Sequence, residues 1–249
     1  FYNLVWIAIT TPFFYTALFL VGIIIYFKNF LLSLKKNFYT QEFYFDSIFI
    51  TLFFVPFIGS SILSGSSFNG WRHLYFIYPY FVIFSILAYD KLTNLISHKK
   101  YTNLIHLSTL LILCYYAFWM LKNHPHQYAY FNIFGGKEIS KNFDIDYHAQ
   151  SYKENLNYIL ANDNRKKIYI INNSINKPIL FLYSLKKDDR EKFIHNFDDR
   201  YPDYILTNYF LDKIKRYKKY DDEFINKNYF IFKQLIVDEN IINTVFKKK

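Results

Sequence analysis

Four stretches of the chain are apolar for too long to belong to an ordinary soluble core. Residues 3–27 run without a charge. At 1.5 Å per residue that is roughly 37 Å of helix, enough to cross a hydrocarbon core of about 30 Å with some tilt. Residues 47–68 are uncharged again, with Pro56 and Gly59 inside the run. Proline is tolerated in a membrane helix when neighbouring groups satisfy the freed carbonyl. A shorter third run covers 74–89, with Pro79 near its start, and a fourth covers 104–121, with His106 early and Cys114 in the middle. Soluble helices seldom stay uncharged over such lengths, so the pattern predicts about four transmembrane helices, at 3–27, 47–68, 74–89 and 104–121.

Beyond residue 123 the period changes. Residues 151–162 place Leu156, Ile159 and Leu160 on one face of an amphipathic helix. Residues 167–171 form a short β-branched run ending in Asn172-Asn173-Ser174, a strand followed by turn chemistry. Residues 178–185 suit a helix with Pro178 in its first turn, and 204–207 read as another strand. Residues 229–237 and 241–246 flank Asp238-Glu239-Asn240, which predicts a terminal β-hairpin. Strand–helix–strand order points to a small α/β domain in three layers. The expected architecture is therefore mixed: an α-helical multi-pass membrane region over 1–123, followed by a small extracytoplasmic α/β domain over 124–249.

Charge supports that division and orients it. The mean hydropathy of −0.01 averages two unlike halves. Residues 1–123 hold eight Lys/Arg and three acids, whereas 124–249 hold 22 and 17. The loop 28–45 carries Lys28, Lys35 and Lys36, and the loop 90–103 carries Lys91, Lys99 and Lys100, against Arg72 alone in the intervening turn. The positive-inside rule then places both lysine loops in the cytoplasm. The turn at 64–73, the N-terminus and everything after His124 lie outside. Phe1 is not an initiator methionine and no basic region precedes the first apolar run, so a signal peptide is not expected. The economical expectation is the C-terminal part of a longer chain.

Composition removes several classes. With 23% aromatic residues the chain is not intrinsically disordered. A single cysteine, Cys114, excludes an internal disulfide framework and any multi-cysteine metal site. No dinucleotide fingerprint, phosphate-binding loop or serine nucleophile elbow is present. The runs 213–219 and 247–249 read as a solvated helix face and a charged tail, and nucleic acid is not expected as a partner.

Three groups of residues could carry chemistry. In the outer turn, Gly70 permits a tight bend, and Trp71 and Tyr75 suit the headgroup level. Arg72 offers a fork of donors matched to phosphate oxygens, and His73 can add one more. An arginine there either holds a lipid-linked phosphate or snorkels to bulk headgroups. After the fourth span, His124 and His126 stand at i and i+2, but two ligands without nearby carboxylates make a weak metal site, and Pro125 reads as a helix terminator. Farther on, Asp144 and Asp146 would share one face of a strand, where close carboxylates suit acid–base work. The plainer reading, an acidic loop leading into the 151–162 helix, is favoured.

Taken in order, Asn69-Gly70-Trp71-Arg72-His73 with Leu74-Tyr75-Phe76-Ile77-Tyr78-Pro79, His124-Pro125-His126-Gln127-Tyr128-Ala129-Tyr130-Phe131-Asn132, Gly135-Gly136, Phe143-Asp144-Ile145-Asp146-Tyr147 and Ser151-Tyr152-Lys153-Glu154 resemble bacterial GT-C type membrane glycosyltransferases. The relatives in view are dolichyl-phosphate-mannose protein mannosyltransferases, arabinosyltransferases and rhizobial lipopolysaccharide-sugar transferases. The likeness covers most of 65–155 and, more loosely, Pro202-Asp203-Tyr204-Ile205-Leu206-Thr207-Asn208-Tyr209. It implies a polyprenyl-phosphate-linked sugar donor, a lipid, glycan or protein acceptor on the outer face, and inversion at the sugar carbon. It also implies a bacterial inner-membrane location with a periplasmic C-terminal domain, and it leaves a divalent metal open as cofactor. The catalytic aspartate is expected upstream of Phe1. Among the residues present, Arg72 and His73 are the implied contacts to donor phosphate or acceptor, with Trp71, His124, His126, Asp144 and Asp146 as weaker candidates. His148 departs from the pattern, which carries tyrosine or tryptophan there. The competing classes are a non-catalytic envelope protein whose α/β domain binds glycan or protein, and a polysaccharide ligase or polymerase.

Overall fold

The computed structural model describes residues 2–35, 40–62, 70–136, 139–174, 179–195, 201–210 and 219–249. Phe68, Asn69, Pro178 and positions 213–218 of the first lysine run lie outside the described residues. The chain divides into two compact units, Phe1–Lys122 with Phe131–Gly136, and Asn123–Tyr130 with Lys137–Lys249. The architecture is mixed, with helices and one five-stranded sheet.

In the first unit, the apolar run 3–27 is not one helix. It is α1 (Tyr2–Thr10) and α2 (Phe13–Lys35), broken at Thr11-Pro12. Pro12 has no N–H, so the carbonyl of Ala8 loses its partner four residues on, and the break also leaves the Ile9 and Thr11 carbonyls unmatched. All three are taken by one residue of the 131–136 segment. Asn132 donates from Nδ2 to the carbonyls of Ala8 at 2.6 Å and Thr11 at 2.7 Å, and from its backbone N–H to Ile9 at 2.8 Å. Its Oδ1 accepts from the Phe134 N–H at 2.9 Å, so the amide is fully used. The prolyl break is thus satisfied from far along the chain. Asn132→Ala strips two buried carbonyls of their donor, at about 1–3 kcal/mol each. Its melting temperature in detergent is expected to fall clearly below wild type; an unchanged melting curve counts against this role.

Among the described residues, three helices are long and apolar enough to cross a membrane: Phe13–Lys35, Phe43–Ile62 and Lys99–Lys122. The second of these lies within α3 (Gln41–Ile62), whose interior holds Pro56. The predicted crossing at 74–89 takes another form, a 3-10 turn over Arg72–Ile77 and then α4 (Tyr78–Asn94), only 17 residues long, with Pro79 in its first turn. What α4 lacks in length it makes up in burial. Phe81, Phe84, Ser85 and Ala88 are buried. Phe19 of α2 stacks on Phe81 at 4.1 Å, Tyr26 meets Phe84 edge-on at 4.9 Å, and Phe53 of α3 meets Phe84 at 6.1 Å. Gly22 lets α2 approach the backbone of α4: a Cβ there would lie 2.2 Å from the Phe84 carbonyl oxygen. Such small-residue contacts are how helices associate where apolar burial gives no driving force. The last helix of the unit, α5 (Lys99–Lys122), is joined to α4 by Tyr89 OH and His106 Nδ1 at 2.5 Å.

In the second unit, α6 (Ile139–Asn142) and a turn lead to α7 (Ser151–Asn162), which forms where the apolar period predicts it. Next come β1 (Ile168–Asn172), α8 (Ile179–Leu182), α9 (Lys187–Arg190), β2 (Phe193–Ile194), β3 (Tyr204–Thr207), α10 (Asp222–Asn228), β4 (Tyr229–Val237) and β5 (Asn240–Lys248). The sheet order is β2-β1-β3-β5-β4, with β2, β1 and β3 parallel and β5 antiparallel to both its neighbours. Side chains alternate across β3. Tyr204 and Leu206 face Tyr152, Leu156 and Ile159 of α7, while Ile205 faces Ile225 of α10 and Tyr229. The hairpin turns on Asp238 and Glu239, both at positive φ (44° and 66°), the pairing that two-residue hairpins favour. One correction concerns the basic end of the chain. Lys247 and Lys248 are strand residues paired with Tyr204 and Tyr229, not part of a free tail, because β5 extends two residues past the predicted apolar run.

Candidate functional site

In the first unit, the turn that carries Arg72 is anchored by its neighbours. Gly70, at φ 75°, donates its N–H to the Tyr2 hydroxyl at 3.0 Å. Trp71 donates its indole N–H to Thr10 Oγ1 at 3.1 Å, and Thr10 in turn donates to the Trp6 carbonyl at 2.6 Å. Trp71 is only 7% exposed, packed against Tyr75 at 4.9 Å and Tyr78 at 5.7 Å. Trp71 is thus an internal anchor of the turn; an indole N–H so buried requires an acceptor, and Thr10 supplies it. Tyr75 is exposed. Arg72 is half-buried, and its Nε points at Nε2 of the exposed His73 at 3.4 Å, a long contact. The turn places the Arg72 guanidinium beside the His73 imidazole.

In the second unit, the strand order places a topological switch point at the carboxyl ends of β1 and β3: the chain leaving β1 goes to β2 on one side, and the chain leaving β3 goes to the β4–β5 side. The described polar residues there are buried against one another. The N-terminus of α7 lies at this end. Its Tyr152, fully buried, donates its hydroxyl to Asn172 Oδ1, and Ser174 Oγ stands 2.9 Å away. Ser174 donates to Asn208 Oδ1 at 2.7 Å, and Asn208 Nδ2 donates to the Asp146 carbonyl at 2.7 Å. Ser151 donates to Asp146 Oδ2 and accepts from Asn243 Nδ2 at 2.6 Å.

From Asp146 a hydrogen-bonded chain leads outward. Tyr128 OH donates to Asp146 Oδ1 at 2.7 Å, and His126 Nδ1 lies 3.1 Å from the Tyr128 oxygen. His126 Nε2 lies 3.0 Å from Glu154 Oε2, and Lys233 Nζ donates to Glu154 Oε1 at 2.8 Å. Asp146 is 1% exposed, and the Glu154 side chain is 42% exposed, so the chain joins interior to surface. Burial pushes the Asp146 carboxyl up, and donors from Ser151, Tyr128 and Asn208 offset part of that rise. Burial, with Asp146 alongside, pushes the Tyr128 phenol up. Burial also acts to raise Glu154, but the donors on Lys233 and His126 outweigh it and hold the carboxyl low.

Hydrogen bonds thus run without a gap from the half-exposed Glu154 carboxylate, through His126 and Tyr128, to the sealed Asp146 carboxylate.

Asp146 and His126 are thus brought together, through Tyr128. Asp144 is not part of this chain: residues 144–148 are loop and turn rather than strand, so the two aspartates do not share a strand face. His124 is exposed, with Gln127 Nε2 at 2.9 Å from its Nδ1. Among the described residues no cluster of three or more His, Cys, Asp or Glu could hold a metal. Sequence reasoning assigned no role to Tyr128, Glu154 or Lys233. The short His126-x-Tyr128 spacing is a local signal for one of them, but nothing local links Glu154 to Lys233.

A second ionic cluster lies at the opposite end of the sheet. Arg165 donates from Nε to Asp163 Oδ1 at 2.9 Å, from NH2 to Asp163 Oδ2 at 2.6 Å and from NH1 to Asp203 Oδ1 at 2.8 Å. Tyr204 OH adds a bond to Asp163 Oδ2 at 2.9 Å. The Arg165 donors hold the Asp163 carboxyl down at about 2, against its usual 3.8. A depressed carboxyl stabilises the fold while ionised; that contribution is complete above its unfolded value and disappears as pH falls through the folded one. Asp163→Asn is expected to melt below wild type at neutral pH, with the gap closing between 3.8 and about 2. A gap that persists unchanged below that window contradicts the assignment.

Comparison of the chain with protein-family models, with curated proteins and with solved structures finds no match.

Proposed function

We propose that the chain belongs to an integral-membrane glycosyltransferase that moves a sugar from a polyprenyl-phosphate donor to a lipid, glycan or protein acceptor at the outer face of a bacterial inner membrane. The observation that carries this reading is the Arg72–His73 corner, mounted on a Trp71-anchored turn where an apolar helix begins. A lipid-borne donor has to be met at the bilayer boundary, with its phosphate at the headgroup level. The leaving group is that phosphate, so a guanidinium beside it stabilises the charge that develops as the glycosidic bond breaks. The acceptor hydroxyl needs a carboxylate base.

Four crossings fit this reading. The six residues of Arg72–Ile77 at about 2.0 Å each, followed by the 17 of α4 at about 1.5 Å each, reach roughly 37 Å in total. That is a full hydrocarbon core. With the lysine loops cytoplasmic, the second unit lies outside. In this scheme the α/β unit positions or binds rather than reacts, since its buried Asp146 has no surface open to a substrate.

The test is sugar transfer from a radiolabelled polyprenyl-phosphate donor by the full-length protein in membranes. Label appearing in a lipid, glycan or protein fraction supports the reading, and its absence with folded protein present overturns it.

A further inference from the structure

The ionic cluster beside Arg165 borders a recess of about 370 Å³, lined by Asp163, Arg165, Asp203, Lys247, Lys248 and Lys249 among others. Its charges are unevenly matched. A guanidinium has five N–H donors, and Arg165 engages three of them with Asp163 and Asp203, so one group neutralises both carboxylates in part and is itself held rigid. Among the described residues, no carboxylate pairs with any of the three lysines. Lys247 Nζ stands over the rings of Phe232 at 4.9 Å and Tyr204 at 5.7 Å, and Lys248 Nζ stands over Tyr201 at 5.6 Å. Lys249 Nζ donates to the carbonyls of Asn226 and Lys227 at 2.8 and 2.9 Å. Ring faces and carbonyls orient an ammonium without removing its charge.

These cations are not a solvated tail. Lys247 and Lys248 are held at the backbone by β5 pairing, and the Arg165 guanidinium is held by its two aspartates. A planar fork with two N–H groups beyond its aspartate bonds, in a recess of this size lined by three lysines, is a donor set suited to the tetrahedral oxygens of a phosphoryl group. We propose that this recess binds a phosphoryl group, either on a soluble phosphate compound or on a phosphomonoester lipid headgroup. The proposal is independent of the transferase reading, since it needs no reaction and involves neither Arg72 nor His73.

The probe is pyrophosphate, titrated calorimetrically into the full chain in nonionic detergent. One saturable site is expected. Lys247→Gln/Lys248→Gln should weaken it about tenfold or more, as loss of charge-assisted bonds requires, with the melting temperature retained. Lys249→Gln, at an exposed position, gives a milder loss and serves if the double variant unfolds. Lys99→Gln/Lys100→Gln removes the same charge from the first unit and should leave affinity unchanged. Absence of saturable binding, or an equal loss in the Lys99/Lys100 variant, overturns the proposal. So does an oligonucleotide that displaces pyrophosphate at lower concentration, which would make this a nucleic-acid surface. Nanodiscs then separate the two sources. Phosphatidic acid in the disc that weakens apparent pyrophosphate affinity supports the headgroup form, and affinity equal to that in phosphatidylcholine discs supports the soluble form.

Discussion

Gly22→Val is expected to leave little folded protein in membranes, and any that is recovered should melt far below wild type. The reason is geometric. Even a single methyl at Gly22 would lie 2.2 Å from the Phe84 carbonyl oxygen and 2.8 Å from its carbon, and both are backbone atoms that cannot rotate aside. Relief requires α2 and α4 to separate, and the Phe19–Phe81 stack at 4.1 Å and the Tyr26–Phe84 contact at 4.9 Å open with them. Overpacking a tight core costs about 1–3 kcal/mol, and loss of the aromatic contacts adds about 0.5–1.5 kcal/mol for each pair. Gly59→Ala is the matched control, because nothing lies within 4 Å of a Cβ there. It should melt at or above wild type, since alanine favours a helix over glycine by about 1 kcal/mol. Equal melting of the Gly22 and Gly59 variants would remove the close approach from the account of this unit.

Arg72→Ala is expected to cut sugar transfer at least tenfold in membranes with equal protein levels. A charge-assisted bond to phosphate contributes about 1.5–3 kcal/mol, and each 1.4 kcal/mol is about a factor of ten in rate. A melting curve measured alongside separates lost transfer from lost fold; the anchoring bond to Thr10 belongs to Trp71, and Gly70 holds Tyr2. Arg72→Lys keeps the charge but loses the planar fork, so it should fall between wild type and alanine. If Arg72 holds ground-state donor and transition state alike, the loss appears in KM for the donor; if it acts as charge develops, the loss appears in kcat. Transfer rates identical to wild type take Arg72 out of the mechanism.

Three long apolar helices and the hairpin were legible because each obeys a local rule. Lipid demands about twenty uncharged residues, and a tight hairpin demands turn residues between two apolar runs. What could not be read depends on distant partners. The unbroken apolar run 3–27 hides the break at Pro12, and its remedy, Asn132, stands 124 residues from Ala8 and announces nothing by its neighbours. Trp71 has the chemistry of an interfacial aromatic; only the position of Thr10 makes it an anchor. Lys247 and Lys248 look like a charged tail until Tyr204 and Tyr229 draw them into the sheet. In the hydrogen-bonded chain that ends at Asp146, residues 126, 128, 146, 154 and 233 converge from four segments. Only the His126–Tyr128 spacing is short enough to be read locally.

The Asn132 clamp also bears on how the chain is made. The ribosome releases the bend between α1 and α2 more than a hundred residues before the donor that completes it. Throughout that interval the Ala8 and Thr11 carbonyls must find other company, in the insertion machinery, in water or with a chaperone. The bend is therefore among the last parts of its unit to mature, although it precedes most of that unit in the chain.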